Sequence, residues 1–471
     1  MNKYKHEFEA NLWALNNFSS VQLFDRRRTK RLIDIAAKLG QNKGQSLACL
    51  FDKWYDTKAV YNLLKLDIMT PDVIQEPHRE LTKKNIINWE NDVLLIEDST
   101  EFEWNRLEPI EGLGPIGSGR KGDQGFILHT TMAVGMINKS NHDSDDPLIK
   151  ILGIPYQQYY VRPSKRETTK QRRKGDKDLE TDLWRNVVHS KSLPKEASNK
   201  LIRICDRAAD IYEVLEETKS SGYNYIIRTK NDRADSTDEE IKLFETMREL
   251  PAIGMTKLKR RGGKGSKKRT IPLNINWQEV SLRAPARPGY RAGKLPPLEL
   301  TVVRVWGWDP ESDELIEWFL YTNLMIKDLE TAIRIVKYYS IRWTIEDYHK
   351  ALKSGLKAEK LQLETAHGIF AAIAIMSVVA LRLVDLREAL RINPDHPAEE
   401  SGLSVLELKI LSAYLKKEIK TVKCVALAIG RLGGHLNRKS DGMPGLMTLW
   451  LGMSRFLNIV EGVKLGGLIN F

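Results

Sequence analysis

Three carboxylates stand out for what surrounds them. Asp98 closes the run VLLIED (Val93–Asp98), Asp206 closes LIRICD (Leu201–Asp206), and Glu346 lies within YYSIRWTIEDYHKALKSGLKAEKLQLE (Tyr338–Glu364). Short, continuous apolar runs read as buried strands, and open α/β sheets place ligands beyond the carboxyl ends of their strands. A carboxylate there meets solvent, and hard cations such as Mg²⁺ prefer oxygen ligands. Two such ions, roughly 3.5–4 Å apart, can clamp the attacking and leaving oxygens of a phosphodiester. Each Asp taken alone also reads as a loop cap or an Asx turn.

The Glu346 segment has the spacing of a helix. At about 100° per residue, Tyr339, Arg342, Glu346, Lys350 and Lys353 share one arc, with Ile341, Ile345, Tyr348 and Leu352 opposite. Two readings stay open: a solvated face laced with ion pairs, or a metal-binding carboxylate flanked by cations that meet phosphates. Arg precedes Glu here, the less favourable order for a helical pair.

The elements that must position these groups divide the chain. Residues 1–75 read as helical, with RRRTKR (Arg26–Arg31) placing five cations in six residues ahead of Leu32, Ile33, Ile35 and Leu39 at helical spacing. Residues 76–230 alternate strand candidates (Val93–Thr100, Phe126–Met136, Leu148–Arg162, Leu201–Asp206, Tyr223–Lys230) with helical stretches, as a mixed sheet covered by helices would. A basic connector (Lys165, Arg166, Lys170, Arg172, Arg173, Lys174) interrupts them. Residues 231–322 read as an all-β insertion containing the loop KLKRRGGKGSKKR. The chain then turns helical, with 323–385 returning to the core and 386–471 forming a helical C-terminal region. The fold class expected is α/β, with helical regions at both ends.

Composition bounds the function. A chain of 471 residues is long for one domain, and 42% hydrophobic residues exclude a disordered protein. Its 74 Lys and Arg against 62 Asp and Glu, net +12, point to a polyanionic partner. Cys49, Cys205 and Cys424 stand too far apart for a zinc module or a disulfide scaffold. The polar start MNKYKHEFEANLW is not a signal peptide. Ile369–Leu383 is too short and Ala-rich to span a bilayer comfortably and reads as a buried helix. A soluble, cytoplasmic protein with no membrane partner is expected.

Tyr339-x2-Arg342-x3-Glu346-x6-Lys353 resembles the Y-R-E-K signature of the insertion-sequence family-four DDE transposases, most of all their hairpin-forming, Tn-five-like branch. LIEDST is similar to the family's segment around its first catalytic Asp. CDRAADIY is similar to the segment around its second, with Ala208 where the pattern has Glu. FDRRRTKRL resembles its N-terminal DNA-binding motif, with Arg26 in place of Pro, and AIGRLGGHLNRKSDG (Ala428–Gly442) a segment near its dimer-forming helices. The matches run in order over nearly the whole chain.

The resemblance implies a ribonuclease H-like catalytic core. It implies two Mg²⁺ ions, replaceable by Mn²⁺, held by Asp98, Asp206 and Glu346. It also implies end cleavage through a DNA hairpin, joining to target DNA, and a homodimer on paired terminal inverted repeats in the bacterial nucleoid. The interval from Asp206 to Glu346, longer than that from Asp98 to Asp206, fits an inserted domain. By the same resemblance Tyr339, Arg342, Lys353, Arg28 and Arg31 contact DNA, and Trp318 stacks on a flipped base. The alternative for Trp318 is a core Trp. Arg228 and Lys230 are phosphate contacts or plain strand-end cations. His129 and His349 read as structural. The apolar stripe Leu446, Leu449, Trp450, Met453, Phe456, Leu457 and Val460 is expected to serve self-association, making 386–471 a helical dimerisation region, with packing on the chain's own core as the alternative. A catalytically inactive DNA-end-binding inhibitor derived from a transposase, and a host nuclease with the same core, are the competing functions.

Overall fold

A computed structural model describes residues 9–41, 47–106, 108–117, 123–138, 147–163, 179–234, 242–260, 269–285, 295–438 and 441–467. The basic connector 164–178 and most of the basic Gly-rich loop, 261–268, lie outside the described residues.

The sheet is built around β1 (Val93–Asn105). On one side β1 pairs antiparallel with β3 (Asp123–Ile137), which pairs with β4 (Leu148–Tyr160) and, at its start, with the short β2 (Gly114–Pro115). On the other side β1 pairs parallel with β5 (Leu201–Cys205), and β5 pairs parallel with β6 (Asn224–Arg228). Val93–Ile96 and Leu201–Cys205 are buried on both faces, which is why their sequences show no polar alternation.

Residues 231–322 do not stand apart from this sheet. β10 (Glu314–Thr322) pairs with β6, and β9 (Leu298–Asp309), β8 (Arg269–Leu282) and β7 (Gly254–Arg260) follow in turn, so a ten-stranded sheet runs through core and insertion alike. The expected all-β stretch also holds a helix, Leu243–Glu249.

Alternation along the strands separates two layers. Leu94, Ile96, Ile202, Ile204 and Ile226 join the larger core with the N-terminal helices α1 (Ala10–Phe18), α2 (Arg26–Gln41), α3 (Trp54–Leu64) and the first half of α4 (Pro71–Asn88). Val93, Leu95 and Leu201 pack on the opposite face with Ile86, Val187 and Val188. The long helix Ala366–Ile392 lies within the larger core. By length and apolarity it could cross a membrane, but 89% of its apolar window is buried inside the fold.

Two expectations change on folding. The stretch Tyr338–Glu364 is not one helix: one helix ends at Ser340, another spans Trp343–Lys350, a π turn occupies Ala351–Gly355 and a 3-10 turn Ala358–Lys360. π turns interrupt helices often at functional positions. The C-terminal stripe Leu446, Leu449, Trp450, Met453, Phe456 and Val460 is buried against this chain's own core, so that face of helix Leu446–Gly466 is not free for self-association. Trp450 lies so close to Gly355 that a Cβ there would stand 2.3 Å from its ring. The C-terminal helix thereby buttresses the end of the π turn.

A fully buried ion pair ties β1 to β5 beneath the smaller face. Arg203 donates to Glu97 from Nε at 2.6 Å and from Nη2 at 2.7 Å, and also to the Trp184 carbonyl at 2.7 Å and to the Thr218 hydroxyl. Burial alone would raise the Glu97 carboxyl, but the charge and hydrogen bonds of Arg203, helped by His129, hold it below its ordinary range. Removing one partner strands a buried charge. Glu97→Ala should therefore lower unfolding stability by about 3–5 kcal/mol, whereas Glu97→Leu with Arg203→Met should recover most of that loss. Urea denaturation of the two variants against the parent checks this; equal losses in both would mean the pair contributes net stability.

Candidate active site

Parallel register brings the two aspartates together. Ile96 lies opposite Ile204, so Asp98 and Asp206, each two residues further on, continue the same face at the same level. β1 does not end at Asp98, as the sequence suggested, but continues to Asn105 against β3, with Asp98 opposite Thr130. It is β5 that stops, at Cys205. Asp98 therefore stands where its strand outruns a neighbour, which leaves its side chain 20% exposed. Asp206 caps a short 3-10 turn, accepting from the Ala208 N–H at 2.8 Å. That is the local role that a lone strand-end Asp suggests, and it engages only Oδ1.

Glu346 enters from the first turn of helix Trp343–Lys350, above the same face, with Ile345 and Tyr348 buried in the larger core. Arg342 links it to β1. Its Nη2 donates to Glu346 Oε1 at 2.7 Å, and its Nη1 lies 3.6 Å from Asp98 Oδ2. Burial, and next the charge of Asp206, raise the Asp98 carboxyl to about 6, against the opposing pull of Arg342 and the Ser99 N–H; Glu346 adds to the rise.

An all-oxygen donor set in which Asp98 is crowded enough to resist ionisation suits a divalent cation, whose charge would relieve the repulsion. The arrangement is nevertheless not closed. Among the described residues no group of three His, Cys, Asp or Glu stands ready to hold an ion. Arg342 engages one oxygen of Glu346, Oε1, and approaches Asp98, so gathering three carboxylates on one ion requires the guanidinium to move aside.

Around this centre lies an aromatic and cationic wall. Tyr339 is buried rather than solvent-facing, its ring edge-on to Trp318 with centroids 5.5 Å apart. Trp318 is only 9% exposed, and Arg228 lies over its ring at 5.9 Å. As placed, Trp318 fits the core alternative, and Trp343, 51% exposed beside Arg342, is the open ring. Arg228 also donates to the Glu317 carbonyl at 3.4 Å, and burial lowers its pKa. Lys230 is exposed at the end of the same segment. Lys353 is drawn away from the carboxylates, paired with Glu359 at 3.1 Å and lying over Phe102 at 5.2 Å. Arg28 and Arg31 belong to the N-terminal helices and not to this site. Arg28 bonds the Leu23 carbonyl, and Arg31 pairs with Asp56 at 2.7 Å.

Sequence reasoning missed Asp210. It is buried and accepts from the Thr229 hydroxyl, the backbone N–H groups of Lys230 and Asn231, and the Asn231 and Arg233 side chains. It thereby fixes the segment after β6 relative to Asp206. Only its place four residues after Asp206 could have hinted at this. His129 and His349 are both buried. His129 Nδ1 lies 2.8 Å from the Ser99 hydroxyl, and burial, with Lys353 nearby, lowers His349 to about 3.

Comparison with known proteins gives two family matches. Residues 10–67 match a transposase DNA-binding domain, and residues 166–382 match a transposase DDE domain. The second stretch contains Asp206 and Glu346 but not Asp98, which the β1–β5 register connects to Asp206 and Arg342 connects to Glu346. Among solved structures, a cryo-EM structure of the piggyBac transposase synaptic complex with hairpin DNA is similar at 9% identity. The likeness covers 98% of this chain and 86% of that chain with a TM-score of 0.39, too distant to carry an argument about fold or site.

The raised Asp98 pKa has a definite sign. Stability from the neutral carboxyl is complete below pH 3.8 and is lost as pH rises through about 6. Asp98→Asn should therefore be more stable than the parent at pH 8 by about 1–3 kcal/mol, with the difference fading by pH 4. Urea denaturation in EDTA at both pH values measures it. A parent as stable as the variant at pH 8 would show that Asp98 is neither desolvated nor crowded.

Proposed function

The chain belongs to the DDE transposases, with a transposase DNA-binding domain near its start and a DDE domain containing Asp206 and Glu346, and we propose that it cuts the ends of an insertion sequence and joins them to target DNA. The observation that carries this reading is the level placement of Asp98 and Asp206 on neighbouring parallel strands, with Glu346 joined to Asp98 through Arg342. The strand order β4-β3-β1-β5-β6, with β5 and β6 parallel to β1, supports a ribonuclease H-like core. Asp98, Asp206 and Glu346 would hold two Mg²⁺ or Mn²⁺ ions. Bound there, the metals would activate the attacking oxygen and neutralise the leaving one.

The protein's own side chains do the rest. In this reading Arg342 would release its carboxylates to contact phosphate, and Arg228 and Lys230 would contact the DNA backbone. In the first step a water oxygen bonds to phosphorus and the P–O3′ bond breaks, leaving a 5′-phosphate, and the proton lost by the water ends on the departing 3′ oxygen as a 3′-OH. The freed 3′-OH then attacks phosphorus on the opposite strand. A new P–O bond forms there as the flanking strand's P–O3′ bond breaks and its 3′ oxygen leaves with the proton, giving a hairpin. A second water breaks the hairpin's P–O3′ bond, and the 3′-OH so regenerated attacks a target phosphorus, displacing a 3′-OH of the target strand. A homodimer acting on two terminal repeats in the bacterial cytoplasm completes the proposal. The buried C-terminal stripe means that the dimer contact must use other surfaces.

Asp98→Ala, Asp206→Ala and Glu346→Ala should each reduce Mg²⁺-dependent nicking of a plasmid carrying the element's ends by at least about a thousandfold, because such a site acts as a unit. A gel shift on the end duplex should stay within a few-fold of the parent. Retained nicking in any one variant removes that residue from the site, and no nicking by the parent with either metal overturns the enzymatic reading.

A further inference from the structure

Phe24 has an unusual setting. It stands two residues before α2 with 89% of its surface exposed, and its backbone is left-handed, φ 57°. A single exposed apolar side chain needs no explanation. A bulky residue held at positive φ is an outlier, however, and such strain persists only where neighbouring structure fixes it. The other non-glycine residues at positive φ among those described are Asp313, Lys357, Lys416 and Asn437, none of them aromatic. Here the neighbours do fix it. Val21 and Leu23 are buried anchors, and the Asp25 carboxylate accepts from the Arg27 N–H at 2.8 Å at the start of the helix. The ring is thus held outward, with little of it covered by the fold.

The surface around it carries more cations than acids, with Arg27 paired to Asp25 at 3.0 Å and Asp34 also in the cleft beside Arg26 and Lys30. Arg26, Arg27 and Lys30 are exposed on the first turns of α2, and Phe24, Arg26 and Lys30 line one open cleft of about 700 Å³ between α1 and α2. Both lie within the stretch that matches a transposase DNA-binding domain. We propose that Phe24 is an apolar DNA contact, pressed against base edges or a base step of the bound duplex while the flanking Arg and Lys hold phosphates. This rests on the DNA-end-binding reading and adds a determinant that basic residues do not supply. A phosphate contact would contribute to the salt dependence of binding, whereas an aromatic contact to bases would not.

The test uses the full-length protein and a 40-base-pair duplex of the inverted repeat flanking its coding sequence, beside a scrambled duplex of equal composition. Phe24→Gly relieves the backbone strain, so its thermal midpoint should equal or exceed the parent's. Its affinity for the end duplex should nevertheless fall at least tenfold, with the slope against log salt unchanged. Phe24→Trp should keep affinity within threefold. Parent-like affinity in Phe24→Gly overturns the inference while leaving end binding in place. So does a fall accompanied by a shallower salt slope, which would mark a displaced cation, or a change in oligomeric state with unchanged binding, which would mark a protein contact. A parent protein that does not distinguish the two duplexes overturns both the inference and the end-binding reading beneath it.

Discussion

Parallel pairing of β1 with β5 sets the geometry on which the site depends. With Ile96 opposite Ile204, the next side chains on that face are Asp98 and Asp206, and no rotation of a loop is needed to align them. A slip of one residue would turn one aspartate into the opposite layer. The register is held from beneath by the Glu97–Arg203 pair, buried on the other face of the same two strands. One face of the strand pair therefore carries charge that is satisfied within the fold, and the other carries the two aspartates.

That division explains the electrostatics. Glu97 stays ionised despite full burial because a guanidinium meets both its oxygens. Asp98, one residue later and less buried, is pushed the other way, because burial and a neighbouring carboxylate outweigh one guanidinium at 3.6 Å. Arg342 is a partial counterion shared between Asp98 and Glu346. In this arrangement the carboxylates are spaced by a cation of the protein itself.

The helices beyond the sheet act as supports. Helix Ala366–Ile392 lies within the core that joins the sheet to the N-terminal helices, and Arg387 on it reaches Asp347, the neighbour of Glu346. His78 joins α4 to the side chain of Asn17 on α1 and to the backbone of Ile154 on β4, so the helices that match a transposase DNA-binding domain are anchored to the sheet that carries Asp98. The strands of 231–322 widen the same sheet, which places Trp318 and Arg228 on adjoining strands beside Tyr339.

The sequence by itself carried the identity of the strands, since apolar runs such as Val93–Ile96 and Leu201–Cys205 have no other stable place than a buried sheet. It also carried the three carboxylates, through residue types and spacing that resemble a known signature, and the inward face of Ile341, Ile345, Tyr348 and Leu352. It could not carry the pairing of Glu97 with Arg203, the clamp made by Asp210 or the burial of Trp318 beneath Arg228, because these join residues far apart in the chain. Nor could helical periodicity reveal that the Tyr339 and Glu346 segments are separate helices followed by a π turn, since the period assumes an unbroken axis. The C-terminal stripe shows the same limit: its spacing specifies an apolar face, but only the packed tertiary structure decides that the chain's own core, and not a second copy, covers it.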